Sequence, residues 1–364
     1  MSKQQKSDLR IKNRKPKRRH PILRAVVLIV LVALFLAGGY AARFYSQAKK
    51  AVAKTYDPVS TKTVNSDLNG KKPISILLMG TDTGAFGRTD TGRSDTLMLV
   101  TINPKEKKTT MLSIPRDTLA EMVGTGDQSP TYEKINAAYS YGKSDAAIKT
   151  VEKLLNVPIN YYVTVNMEGL QKIVDAVGGV DVNVPFTWTD ANTGGQTFKK
   201  GKAHLNGELA LAYARMRDED PEGDYGRQKR QQEVINQIVK HLMSVKSLTN
   251  YQKVMDSLSS SMRTNLTFDD MMAIAQNYRS SASTIERKQL QGIGVYIDNA
   301  AYQVMKTDTL QKASDEMRAQ LGLSKKTLNN FNTHQNEINN SLGFDWTANN
   351  PVYTVSLDGV TTGP

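Results

Sequence analysis

ISILLMGTDTGAFGRTDTGRSDTLMLVTINPKEKKTTMLSIPRD, residues 74–117, holds three apolar runs separated by two polar turns. ISILLM (74–79) ends at Gly80 and has the form of a buried strand. TLMLVTI (96–102) is a second strand, NPKEKK turns the chain, and TTMLSI (109–114) runs back as a third. Strand one ends just before Asp82 and strand two begins just after Asp95. A hairpin between strands two and three brings the end of the third, and with it Arg116, beside the start of the second. With the first strand antiparallel to the second, Asp82, Asp95 and Arg116 gather at one edge of one sheet. Open α/β sheets carry their ligand sites at strand ends of this kind.

Further along, YYVTV (161–165), a helix over 168–177 and VDVNV (180–184) read as a compact strand–helix–strand unit, which points to an α/β layer. A helix is predicted from about Ser144 to Asn156, stopped by Pro158, after an irregular stretch over 119–136. WTDANTGGQTFKKG reads as a surface excursion. Helix 207–217 turns Leu209, Ala212, Tyr213 and Met216 inward, and a long helix from about Arg227 to Val245 repeats Val234, Ile235, Ile238, Val239 and Leu242 at helical spacing. Thr267 and Asp270 form a capping box before another helix, and GIGVYI (292–297) is a late strand. From Ser324 to the end the chain is polar and Asn-rich, and reads as a weakly ordered tail.

The formal net charge is +13, but residues 1–24 carry ten Lys/Arg and one Asp, so the rest of the chain is only mildly basic. Eighteen uncharged residues follow, AVVLIVLVALFLAGGYAA (25–42), enough helix for about 27 Å of bilayer. Nine Lys/Arg lie in residues 5–24 and four in 43–60, so the positive-inside rule places the N-terminus in the cytoplasm and the bulk outside. The expected organisation is therefore a basic cytoplasmic tail (1–24), a transmembrane anchor (25–42), an extracytoplasmic stalk (43–73), a catalytic domain (74–323) and the polar tail (324–364). A nucleic-acid role for the whole chain loses force, because the basic residues are concentrated beside the anchor. The absence of cysteine excludes disulfides, thiolate catalysis and Cys-bound zinc.

The candidate chemistry lies in scattered acidic and basic residues. Asp82 and Asp95 flank a loop rich in Gly, Thr and Ser that lacks the GK[ST] of a phosphate loop and leads into a strand. As bland features they are a turn residue and a strand cap. Arg93, Arg116, Arg215, Arg217, Arg227 and Arg230 offer planar forks matched to phosphate oxygens. Arg215 and Arg217 also suit the negative end of a helix. Arg227 and Arg230 fall at the start of one, where a cation is disfavoured unless an anion binds there too. Paired aspartates with arginines suggest a divalent cation bridging a pyrophosphate. His20, His204, His241 and His334 have no metal-ligand spacing, and Ser113 has no evident His/Asp partner.

These blocks, with KINAAY (134–139), VNMEGLQKIVDAVGGVDVNVP (165–185) and FKKGKAHLNGELALAYARMRDEDPEGDYGRQKRQQEVI (198–235), together resemble the LytR–CpsA–Psr family over roughly 74–300. The resemblance implies an α/β fold with a central mixed β-sheet sandwiched between helical layers, preceded by one transmembrane helix. It implies a membrane-anchored phosphotransferase of the Gram-positive envelope. Such an enzyme moves an anionic glycopolymer (teichoic acid or capsule) from an undecaprenyl-pyrophosphate carrier to peptidoglycan. Carried across, Asp82 and Asp95 match magnesium-associated acids. Arg93, Arg116, Arg215, Arg217, Arg227 and Arg230 match arginine-rich motif positions, several of which bind pyrophosphate. Lys134 assists, and Asp224 falls in a GDxGRxxRQ motif. Arg93, Arg116 and Asp224 are the expected catalytic residues, with Asp224 or Asp95 as any base. A hydrolase on the same lipid, or a non-catalytic polymer-binding regulator, are the alternatives.

Overall fold

The computed structural model describes residues 43, 45–59, 68–83, 92–126, 130–190, 195–242, 258 and 261–357. The basic tail and the anchor expected at 1–42 lie outside them, as does most of the glycine- and threonine-rich loop. Among the described residues no helix is long and apolar enough to cross a membrane.

β1 (Ile74–Thr81), β2 (Ser94–Asn103) and β3 (Lys108–Ile114) extend the three predicted runs by a residue or two at their ends. β1 pairs antiparallel with β2, and β2 pairs antiparallel with β3, setting Leu97 opposite Ile114. The hairpin argument therefore holds. The stretch expected to be irregular contains two short paired strands, β4 (Leu119–Glu121) and β5 (Tyr132–Lys134), with Leu119 opposite Lys134. α1 (Ala137–Leu155) begins earlier than predicted because a first turn precedes a break at Gly142 and Lys143. α1 then leads to β6 (Tyr161–Asn166), which lies parallel to β1.

After β6 come α2 (Met167–Ala176) and β7 (Val180–Val184). The predicted strand–helix–strand unit does not form within one sheet, since β7 pairs with β10 (Gly201–Leu205) in a separate ribbon. The pattern explains this. VDVNV alternates buried and exposed residues, as in a one-sided strand, whereas β1 is buried almost throughout. Between β7 and β10 lie β8 (Trp188–Asp190) and β9 (Gln196–Phe198). The excursion is anchored at both ends: Trp188 and Phe198 are buried and stack at 4.9 Å, with Tyr213 stacked on Trp188 at 5.7 Å.

α3 (Gly207–Arg215), α4 (Asp224–Leu242), β11 (Met262–Thr264), α5 (Phe268–Asn277) and β12 (Thr284–Gln289) follow. The Thr267–Asp270 capping box is present at α5. The central sheet has the order β11-β6-β1-β2-β3-β12 and mixes parallel and antiparallel pairs. Alternate residues feed opposite layers. Leu77, Met79, Leu97, Leu99 and Ile114 meet Ile148, Val151 and Leu154 of α1 on one face. Met98, Val100 and Met111 meet Ile235 of α4 on the other. Both faces are covered, so the strands read as unbroken apolar runs.

β13 (Ile293–Ile297) and β14 (Ala300–Val304) form a hairpin, followed by α6 (Thr307–Gln320) and α7 (Phe331–Ser341). The C-terminal segment, read from sequence as weakly ordered, is folded through residue 357. Its asparagines are structural. Asn330 caps α7, and Asn332, Asn336 and Asn339 are buried with their amide nitrogens on the carbonyls of Leu119, Met305 and Thr354. Composition alone misleads here because buried amides bonded to backbone add to the apolar contacts that Leu328, Phe331 and Tyr353 make with the rest of the domain. Part of the expected stalk also packs on the domain: Ala48, Ala51 and Val52 are buried beside Met262 and Phe268.

Asn336 holds the Met305 carbonyl at 2.9 Å and accepts from the Tyr353 hydroxyl at 2.7 Å. Asn336→Ala strands both groups in the interior and should cost about 1–3 kcal/mol. Urea denaturation of the variant checks this; an unchanged midpoint would rule it out.

Candidate functional site

Three segments meet at the end of the sheet. β1 and β2 part there, with a register irregularity between Gly80 and Thr81 that re-aims the chain, a common device beside functional sites. Gly92 has φ +63, and a Cβ on it would strike Asp82 Oδ1. The Asp82 carboxylate accepts the backbone N–H of Arg93 at 3.1 Å, so the two ends of the loop are tied together. The Arg93 side chain is exposed.

Two residues into β2, Asp95 accepts from Arg116 Nη1 at 3.0 Å and from Asn136 Nδ2 at 3.3 Å. Arg116 follows β3 as predicted, and its Nε lies 3.7 Å from Asp117. Lys134, on β5, reaches the other side of Asp117 at 3.4 Å and stands 5.6 Å over the Tyr302 ring. α4 brings the remaining pair. Arg227 Nη2 is 2.6 Å from Asp224 Oδ1 and 3.4 Å from the Asp95 carbonyl. Thus Asp95, Arg116, Asp224 and Arg227 form one cluster drawn from β2, the β3 end and α4.

Four buried polar atoms in and beside this cluster have no hydrogen-bond partner: Arg116 Nε, Arg227 Nε, Asp224 Oδ1 and Asn136 Oδ1. The Asp224–Arg227 contact is close, but it lies off the line of a hydrogen bond, so it counts as an ion pair only. Buried orphan groups are rare in native proteins, and four together mark a place prepared for a ligand. Burial is the largest influence on Arg116 and works against its charge. Asp95, Asp117 and Asp224 outweigh it and raise its pKa. Arg227 is shifted downward by burial, with Asp224 opposing and Arg116 adding to the shift. Arginine stays charged regardless, so a buried, under-compensated guanidinium favours an anion beside it.

The other predicted residues are placed differently. Arg215 is exposed in the last turn of α3. Arg217 is exposed and pairs with Asp218 at 2.9 Å, while its charge still bears on Arg227. Arg230 points away from the cluster. Its guanidinium bonds the Tyr213 carbonyl at 2.9 Å, the Met216 carbonyl and Asp220, beneath Trp188 and Tyr213. The expectation that Arg227 and Arg230 offend the helix dipole is also corrected. α4 starts three residues earlier, and Asp224 supplies a negative charge to its first turn.

Sequence reading missed Asn136 and Gln228. Gln228 donates to Asp224 Oδ2 at 2.8 Å and so fixes that carboxylate from one turn on. Asn136 lies in the KINAAY block two residues after the charged Lys134, and a neutral amide there carries no signal of its own.

Among the described residues, no group of three or more His, Cys, Asp or Glu side chains could hold a metal ion. Asp82 and Asp95 fit a different arrangement. Magnesium is commonly held by one or two carboxylates together with substrate phosphate oxygens and water, and both residues offer only hard oxygen donors at adjoining strand ends.

The pattern of the LytR_cpsA_psr family matches residues 40–319. The polyisoprenyl-teichoic acid–peptidoglycan teichoic acid transferase TagU of Enterococcus faecalis is 44% identical over 299 residues, 82% of this chain and 96% of its own length. Biofilm regulatory protein A of Streptococcus mutans is 39% identical over 334 residues, 88% of this chain and 82% of its own. A solved structure of TagT bound to LIIa-WTA superposes with a TM-score of 0.61 at 31% identity, covering 73% of this chain and 97% of that one. With a family match over most of its length and relatives this similar along nearly their whole chains, the protein belongs to the LytR_cpsA_psr family.

Proposed function

We propose that this protein transfers an anionic glycopolymer of the teichoic-acid type from a polyprenyl-pyrophosphate carrier, of the undecaprenyl kind, to a hydroxyl of peptidoglycan. The observation that carries the reading is the group of buried, unsatisfied guanidinium and carboxylate atoms at the sheet end. The names of the relatives in the E. faecalis and TagT comparisons support the polymer class.

Arg116 and Arg227 bind the pyrophosphate and stabilise the charge that grows on its oxygens. Arg93, Arg215, Arg217 and Lys134 extend the positive surface around it. Asp82 and Asp95 would hold Mg²⁺, which when bound would supply Lewis-acid withdrawal of charge from the phosphoryl oxygens. The acceptor hydroxyl oxygen bonds to the polymer-side phosphorus. The bond from that phosphorus to the bridging oxygen breaks, and polyprenyl phosphate departs with the electron pair. Asp224 takes the hydroxyl proton. Arg230 braces the α3–α4 turn and acts on substrate only through Arg227. The apolar run at 25–42 anchors the domain on the outer face of the membrane, where carrier and wall meet.

The test is turnover by the full-length protein with a synthetic polyprenyl-pyrophosphate glycan and soluble peptidoglycan oligomers. Product mass is followed with Mg²⁺ and after chelation. Glycan joined to the oligomer only with metal supports the proposal. Glycan phosphate released to water despite abundant acceptor would make the protein a hydrolase instead. In the same assay Gly92→Ala, which forces a Cβ against Asp82 in a left-handed backbone, should raise the Mg²⁺ needed for half-maximal rate about tenfold. An unchanged metal dependence would remove Asp82 from the metal site.

A further inference from the structure

Asn136 occupies the N-cap of α1, yet it does not cap. An asparagine there ordinarily turns its side-chain oxygen onto the N–H groups of the first helical turn. Here the backbone is helical at φ −67, ψ −20, and the side chain makes no cap bond. The main chain of Asn136 instead joins two segments of the site. Its N–H donates to the Arg116 carbonyl at 3.2 Å, and its carbonyl accepts from Ser94 N–H at 3.3 Å and Ser94 Oγ at 3.4 Å. The side-chain Nδ2 donates to Asp95 Oδ1. The residue is only 4% exposed, and Oδ1 has no donor at all.

Amide orientation is fixed by its partner. Turning the amide over would set Oδ1 against the Asp95 carboxylate, acceptor against acceptor. So the end of the amide left over is an oxygen, and it requires a donor. The cluster it joins through Asp95 already offers cations to the phosphates: Arg116 after β3 and Arg227 on α4. A neutral carbonyl oxygen would be a poor partner for a phosphate. It suits an O–H group. A local rule broken at a buried position, with one acceptor left over, is the mark of a functional constraint.

We propose that Asn136 binds an O–H group at the reacting centre, with Nδ2 holding the Asp95 carboxylate and Oδ1 accepting from the hydroxyl that attacks phosphorus. The same chemistry would serve a metal-held water, the other available O–H donor. The inference rests on the transferase reading above. Accepting the O–H bond holds the oxygen with a lone pair toward phosphorus; the hydroxyl then swings its single proton from Asn136 to Asp224 as the bond to phosphorus forms.

The experiment uses the full-length protein with the synthetic lipid-pyrophosphate glycan, and compares wild type with Asn136→Ala and Asn136→Asp. Three quantities are read: transfer to peptidoglycan oligomer, release of glycan phosphate to water, and calorimetric binding of the donor without acceptor. If the acceptor hydroxyl is the ligand, Asn136→Ala shifts the partition from oligomer toward water about tenfold, the worth of one hydrogen bond, and leaves donor binding within about threefold. Asn136→Asp keeps an acceptor oxygen but sets a like charge on Asp95, so its partition moves less while its overall rate falls. If the ligand is metal-held water, the partition stays put and the Mg²⁺ requirement rises about tenfold instead. Parallel loss of transfer, hydrolysis and donor binding in both variants, or full activity in both, would overturn the proposal. Should Asn136→Ala fail to fold, Asn136→Asp, nearly equal in volume, still gives the partition and the metal requirement. An inert wild type that binds the donor would instead bring down the transferase reading itself.

Discussion

Arg116→Ala should reduce transfer by roughly a hundred- to a thousandfold, the usual loss when a fixed donor to developing charge is removed. Arg116 stands between two carboxylates at the sheet end. It pairs with Asp95, adjoins Asp117, and its carbonyl receives the Asn136 N–H. Its buried Nε is already in place for an anion. The loss should fall mainly on kcat, because phosphate charge grows during transfer, while Arg227 and the outer cations still attract the donor. Arg116→Lys should recover little, since an ammonium cannot hold Asp95 and a phosphate oxygen together through a planar fork. Steady-state kinetics of both variants, with donor binding measured separately, check this. A variant with normal kcat and raised KM alone would make Arg116 a docking residue.

Arg230→Ala should be the most destabilising single change in the candidate motif, by roughly 3–5 kcal/mol. The side chains of Arg230 and Asp220 are 3% and 4% exposed, so alanine leaves a carboxylate buried without its counter-ion. The carbonyls of Tyr213 and Met216 lose a donor at the end of α3, where the helix cannot satisfy them itself. Gly226 packs against the same Asp220 carboxylate, so the disturbance reaches the first turn of α4, which carries Arg227. Chemical denaturation gives the stability, and lipid-pyrophosphate binding at low temperature separates folding from recognition. A stable Arg230→Ala protein that no longer binds pyrophosphate would return Arg230 to the substrate-binding set.

Much of this was legible because the central strands announce themselves. A run such as TLMLVTI has no polar face, so it fits only the interior of a covered sheet, and the hairpin geometry then locates Asp95 and Arg116 without further information. Arg227 and Arg230 were harder. Spacing puts them on the same stretch of helix, but Arg227 turns to Asp224 one turn back and to the Asp95 carbonyl, while Arg230 turns to Asp220, and neither Asp95 nor Asp220 is connected to α4 by any periodicity. The Asn136 contribution was hidden for a related reason: a neutral amide in KINAAY, ahead of the helix start predicted near Ser144, has nothing in sequence that connects it to Asp95. VDVNV reads as the second strand of a strand–helix–strand unit yet pairs in a separate ribbon, because strand existence follows from local pattern, whereas partner choice depends on which sheet edges are already taken. The C-terminal asparagines failed for composition-based reasoning, which treats polarity as solvation and cannot see that each amide meets a particular carbonyl.

Those amides have an environmental consequence. Asn330, Asn332 and Asn336 fasten α7 to α1, β4 and the segment after β14, and Asn339 ties α7 to Thr354, all through groups that carry no charge. Amides and carbonyls do not titrate in any ordinary pH range, and salt does not screen them as it screens exposed ion pairs. The seam is therefore indifferent to acidity and ionic strength. Between the charged cluster, which must answer to cations and phosphate, and the uncharged seam, which ignores them, the protein separates the part that responds to its surroundings from the part that keeps its shape.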